Sequence, residues 1–145
     1  MSDALAPEFT AFNRWLAAGE LRFPWCDACR RHHWYPLPRC PHCRASDIGW
    51  RAVGGAARLY SWTEVSHRFD PRYQGPLPYI VALVEFDDAP GVRLVSHLVD
   101  TPHEWLAIDL PLVADFRAAG ETPPRVLFRA ALTRTLNNYG EKSGI

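Results

Sequence analysis

An excess of charge of either sign is what this chain most plainly lacks. Sixteen lysine and arginine residues balance sixteen aspartate and glutamate residues, so the formal net charge is zero. Affinity for nucleic acid rests on cations that displace counterions from phosphates. A balanced chain with no dense basic run therefore counts against a broad nucleic-acid footprint. Long apolar runs are missing too, with nothing near the ~20 residues that a membrane-spanning helix needs. No secretory leader precedes the first cysteine, so the expected setting is cytoplasmic, without membrane contact.

A nucleophile paired with a base is also missing. Ser66 and His67 are neighbours and point to opposite faces of any strand. Asp87 and Asp88, just before Pro90 and Gly91, are turn residues rather than paired acids. His97 reads as a partly buried, hydrogen-bonded histidine. The chain is expected to hold no complete active site of its own.

What the chain does have is four cysteines in two CxxC pairs, Cys26-Asp27-Ala28-Cys29 and Cys40-Pro41-His42-Cys43. Each tight turn can present two thiolates, and two such turns can close an S₄ shell around Zn²⁺. Two disulfides or a redox pair would use the same residues, but disulfides require an oxidising compartment. Pro41 keeps the second knuckle from becoming helical, Pro36 and Pro38 hold the link extended, and Trp34 and Tyr35 offer apolar cover. Four thiolates complete a structural site, so His32, His33 and His42 are expected to face solvent on the ribbon. Arg30 and Arg44 stand where a knuckle ordinarily has glycine, which predicts backbone strain or a different turn.

The rest divides into four parts: an N-terminal helical segment 1–20, a zinc ribbon 21–50, a barrel 51–132 and a flexible tail 133–145. Phe9, Phe12 and Leu16 recur at i, i+3 and i+7 over residues 7–18, Trp15 widens the stripe, and Gly19 ends the helix. A helix this short must dock, either on its own chain or in a partner's groove. Strands are expected at 58–67, 79–86, 92–99, 112–116 and 125–132. Thr101-Pro102-His103-Glu104 has the form of a capping box, placing a helical turn after the third strand. Five short strands with that turn suggest an OB-fold, and a five-stranded SH3-like barrel satisfies the same periodicity. The fold is thus mainly β.

The helix segment Phe12-Asn13-Arg14-Trp15-Leu16, the four-cysteine ribbon and the strand Leu59-Tyr60-Ser61-Trp62-Thr63 occur in a specific order. They are followed by Pro78-Tyr79-Ile80-Val81-Ala82-Leu83-Val84-Glu85-Phe86 and Ile108-Asp109-Leu110-Pro111-Leu112-Val113. In this order the chain resembles OB-fold proteins with a rubredoxin-like zinc ribbon that associate with acyl-CoA enzymes. Asp109 falls where that family commonly has glycine, and aspartate tolerates the left-handed geometry such a turn needs.

The resemblance implies a non-catalytic partner of a thiolase-like protein, and in some members of an enoyl-CoA hydratase-like protein. Such complexes carry out thiolysis, acyl transfer or retro-aldol cleavage of acyl-CoA thioesters, steroid side chains included. The family's role is to support the partner's active site or to channel CoA intermediates. Partner-facing surface is expected on Phe9, Phe12 and Trp15, and in the loop 68–78. There Arg68 and Arg72 could meet CoA phosphates, with Phe69 or Tyr73 against adenine; the plainer reading is a solvated loop with one aromatic anchor. The alternative functions are a single-stranded nucleic-acid-binding module and a stand-alone acyl-CoA binder.

Overall fold

The computed structural model describes residues 7–54 and 56–131. The segment assigned above to a flexible tail lies outside the described residues.

The apolar stripe at the start forms helix α1, Phe9–Ala17. Gly19 follows in the left-handed conformation, with φ +79°. Its N–H donates to the Leu16 carbonyl at 2.9 Å, and that of Glu20 to the Trp15 carbonyl at 2.8 Å. These are the paired bonds of a Schellman cap, which glycine permits at no steric cost. Leu16 and Phe12 are buried.

The helix lies against a three-stranded antiparallel sheet of order β2-β1-β3, made of β1 (Arg22–Cys26), β2 (Arg31–His32) and β3 (Ile48–Ala52). The Val53 N–H continues that pairing onto the Leu21 carbonyl at 2.8 Å, so the ribbon sheet reaches past residue 50.

Five further strands follow: β4 (Ala57–Val65), β5 (Tyr79–Phe86), β6 (Arg93–Leu98), β7 (Pro111–Asp115) and β8 (Leu127–Ala130). They close in the order β4-β5-β6-β8-β7. The deciding pair is β6 with β8, parallel, at Leu98 and Phe128. A barrel wound as a simple meander would set β6 beside β7 instead. The third barrel strand therefore meets the fifth, in Greek-key fashion, which makes this an OB-fold and removes the SH3-like alternative. Along β5, Ala82, Val84 and Phe86 point inward while Val81 and Leu83 point outward, the period-two alternation of a one-sided strand. A bulge between Leu59 and Ser61 bends β4, leaving Tyr60 39% exposed beneath the Arg93 guanidinium.

Between β6 and β7 the expected turn is present as a 3₁₀ helix, His103–Trp105, but the capping box does not form. Thr101 makes no cap; its hydroxyl donates to the Val99 carbonyl at 2.9 Å and accepts the Ala130 N–H at 3.0 Å. The hydroxyl thus stitches the loop to β8, a partner brought near only by barrel closure.

Helix, ribbon and barrel share one core. Phe23, fully buried on β1, has its ring centroid 6.1 Å from Phe12, 5.2 Å from Trp34 and 5.0 Å from Phe86, and Phe86 continues to Phe128 at 5.9 Å. Burying rings of this size dominates core energetics, so the three parts stabilise one another.

Candidate metal centre and binding loop

Both knuckles fold the same way. The Arg30 N–H donates to the Cys26 carbonyl and the Arg44 N–H to the Cys40 carbonyl, each at 2.8 Å. Both arginines are left-handed, with φ +59° and +68°. The turns are therefore ordinary in shape and strained by having a Cβ where glycine would carry none. Backbone amides point at sulfur: His42 N–H to Cys40 Sγ at 3.3 Å and Cys29 N–H to Cys26 Sγ at 3.5 Å.

The four sulfurs lie within 4.8 Å of one another. Cys26 Sγ to Cys43 Sγ and Cys29 Sγ to Cys40 Sγ are each 3.6 Å. A tetrahedron with ~2.3 Å metal–sulfur bonds has edges of ~3.8 Å, whereas a disulfide needs ~2.05 Å. The arrangement fits a metal and crosses between knuckles, as a closed S₄ shell must. Burial tends to raise the Cys40 thiol, but the Cys43 and His42 amides bring it down to about 6. Cys29 is pushed up to about 12 by burial and by the sulfurs of Cys40, Cys26 and Cys43. Sulfurs this close compete for negative charge, and a bound cation lets all four be thiolates. The cluster has the donor set and the spacing to hold a metal ion.

His42 is exposed as expected, but the other two ribbon histidines are not. His32 and His33 are buried, 7% and 4% exposed, rather than facing solvent. β2 lays His32 edge-on to the Trp25 ring at 4.8 Å and pairs its Nδ1 with the Pro24 carbonyl at 3.0 Å. Burial holds both imidazoles below the ordinary histidine value. Among the described residues His33 finds no hydrogen-bond partner for either ring nitrogen.

In the loop 68–78 the structure braces what the sequence offered to a ligand. Arg68 donates to the carbonyls of Tyr73 and Gly75 and covers the Tyr73 ring. Arg72 forks onto Asp70, with Nε at 3.1 Å from Oδ1 and Nη2 at 3.0 Å from Oδ2. Tyr73 donates its hydroxyl to the Pro76 carbonyl at 2.9 Å and packs on Tyr79. Both guanidiniums serve the loop's own shape rather than pointing free at a phosphate. Phe69, 75% exposed, is left outward.

Of the helix aromatics, Phe12 is 6% exposed and absorbed in the chain's own core, because position i+3 of the stripe faces the ribbon. Phe9 packs on Trp34 and Trp15 on Trp50, both half-buried. Periodicity missed a further row: the Tyr79 ring packs tilted against His97 at 5.0 Å, and Arg125 Nη2 meets His97 Nδ1 at 2.9 Å. These residues come from β5, β6 and the connection before β8, so no local pattern links them.

Residues 16–49 match the ChsH2 rubredoxin-like zinc ribbon domain, and residues 50–117 match the ChsH2 C-terminal OB-fold domain. The chain belongs to the ChsH2 family. A chain of the Ltp2-ChsH2(DUF35) aldolase superposes with a TM-score of 0.78 at 29% identity, covering 90% of this chain and 99% of that one. A DUF35-family protein of Sulfolobus solfataricus shares the fold, with a TM-score of 0.64 at 15% identity and 88% of each chain covered. In sequence, 107 residues are 34% identical to a probable enoyl-CoA hydratase alpha subunit of Thermomonospora curvata. That match takes in 74% of this chain but only 32% of the relative, so the chain spans about a third of that protein's length. Among the described residues no helix is long and apolar enough to cross a membrane.

Proposed function

We propose that the chain is a zinc-bearing, non-catalytic subunit that acts on acyl-CoA thioesters through a thiolase-like partner. The observation that carries this reading is its likeness, over nine-tenths of its length, to a chain of an aldolase whose name joins ChsH2(DUF35) to Ltp2. That name favours retro-aldol cleavage over thiolysis or acyl transfer for the partner's reaction, with steroid side chains as one substrate class. The hydratase name of the Thermomonospora curvata relative supports an acyl-CoA substrate and a second, enoyl-CoA hydratase-like partner.

Zinc is the metal we assign to Cys26, Cys29, Cys40 and Cys43, since tetrahedral thiolate sites suit it and the matched ribbon carries its name. With four protein ligands it would hold the knuckles together and offer no open position to substrate. The covalent step falls to the partner, and this chain supports its active site or passes CoA intermediates to it. Four closely set thiols suit a reducing cytoplasm. Phe69, with the half-buried edges of Phe9 and Trp15, supplies the aromatic surface a partner would cover.

The test is co-expression with thiolase-like candidates. The complex is expected to turn over acyl-CoA and the isolated chain is not. Phe69→Ala should weaken co-purification without shifting the melting temperature, because the ring leaves solvent only in a complex. Robust turnover by the isolated chain would overturn the reading.

A further inference from the structure

Between β4 and β7 the barrel has a short seam. Two residue pairs, Ala57 with Leu112 and Arg58 with Pro111, join these strands. β4 begins at Ala57, where the chain arrives from the ribbon, while β7 runs on to Asp115. Past Leu112, no β4 residue stands opposite β7. A cavity of about 600 Å³ opens along this seam.

Its walls come from all three parts of the molecule: Gly19 at the end of the helix, Leu21 and Val53 from the ribbon sheet, and Leu112, Ala114, Phe86 and Phe128 from the barrel. Among the described residues that line it, Glu20 alone is charged, and Arg22 neutralises it at 3.0 Å. Among the described residues, no arginine, lysine, histidine, hydroxyl or amide side chain lines the cavity. A phosphate or a nucleotide would find no side-chain partner among these described residues. An apolar body would, since cavities of ~300–1,000 Å³ with apolar walls are the usual form of small-molecule sites.

We propose that the β4–β7 seam binds the apolar acyl body of a thioester and leaves the CoA moiety outside. This rests on the acyl-CoA reading above and adds to it a place for the acyl group on this chain. The inference assigns the ligand's two halves by chemistry: the seam offers area for hydrophobic burial and nothing for charge. Because Val53 and Leu21 belong to the ribbon side of the seam, occupancy is coupled to the ribbon's fold, and stripping the metal should weaken binding.

The experiment is calorimetric titration of the full, metal-loaded chain with octanoyl-CoA, a longer acyl-CoA and free CoA. Octanoyl-CoA is expected to bind at least ten-fold more tightly than free CoA, with a negative heat-capacity change that grows with acyl length. Ala114→Trp, which fills the seam from a half-buried position, should weaken octanoyl-CoA at least ten-fold while metal content and partner co-purification stay as in wild type. If that variant does not fold, Ala56→Trp, at an exposed position of the same lining, replaces it. Equal affinity for CoA and octanoyl-CoA, or unchanged binding by a folded, seam-filled variant, would overturn the site. So would acyl binding that appears only after residues 132–145 are deleted, for the seam would then be filled by the chain itself. A wild-type chain that co-purifies with its partner but shows no acyl preference defeats this inference alone; one that prefers acyl-CoA but captures no thiolase-like protein defeats the partner reading instead.

Discussion

Arg30 and Arg44 are structural counterparts: each is left-handed, each ends a CxxC knuckle, and each donates its N–H at 2.8 Å to the carbonyl of that knuckle's first cysteine. A side chain in this conformation costs roughly 1–2 kcal/mol relative to glycine, while glycine returns about 0.5–1 kcal/mol of that as unfolded-chain entropy. Arg44→Gly is therefore expected to stabilise the metal-loaded protein by about 0.5 kcal/mol, read as a small rise in melting temperature. Arg30→Gly should gain less, because it also removes a guanidinium 5.9 Å from the Trp25 ring centroid. A clear fall in both variants would mean that the arginines hold contacts outside their own turns.

Removing a metal ligand should be far costlier. Structural zinc contributes on the order of 10–16 kcal/mol in small modules, comparable with the stability of a whole domain. Cys40→Ser is expected to unfold the ribbon, and Phe23 joins that sheet to Phe86 of the barrel, so soluble yield should drop as well. Elemental analysis of the wild type should find about one zinc per chain, as one S₄ site requires. A folded wild-type protein with two disulfides and no metal would refute the centre.

Thr101 offers a more local test. Its hydroxyl holds the Ala130 N–H at 3.0 Å and the Val99 carbonyl at 2.9 Å. Thr101→Val keeps the shape and strands both groups, which should cost about 1–3 kcal/mol in urea unfolding. Were the threonine a helix cap instead, Thr101→Asp would be neutral; here it should destabilise, since a carboxylate cannot donate to Val99.

His97 sets a direction for pH. Burial and then the Arg125 guanidinium hold its imidazole below the ordinary histidine value. The folded pKa lies below the unfolded one of ~6.5, so the unfolded chain takes up this proton first. The contribution is complete above about pH 6.5 and is lost as the pH falls through the folded value. His32 and His33 are shifted the same way, so the test is a difference. His97→Gln should lose less stability than wild type between pH 7 and pH 5, and superimposable profiles would remove His97 from the account.

Much of this molecule could be read from short stretches of chain. Two CxxC pairs lay out a metal centre because each knuckle is local, and arginine in a glycine place announces its own positive φ. Asp109 does the same before β7, with φ +68°. The apolar run 79–86 became β5 with the expected bounds, since alternation and turn residues act over a few positions. Other features waited for the chain to close. OB-fold and SH3-like barrels share a periodicity, and only the parallel contact of Leu98 with Phe128 tells them apart. Thr101 looked like a cap because its neighbours fit one, yet Ala130, distant in sequence, claimed its hydroxyl. Phe12 looked available to a partner until Phe23 of the ribbon sheet came to meet it, whereas Arg68 and Arg72 are engaged locally, by Tyr73 and Asp70 of their own loop. The seam cavity had no sequence signature at all, for it is the space left where β4 starts late beside a β7 that runs on. Local geometry follows from steric and hydrogen-bonding preferences within a turn. Who neighbours whom across a barrel follows from burying a shared core, and that is a property of the whole chain.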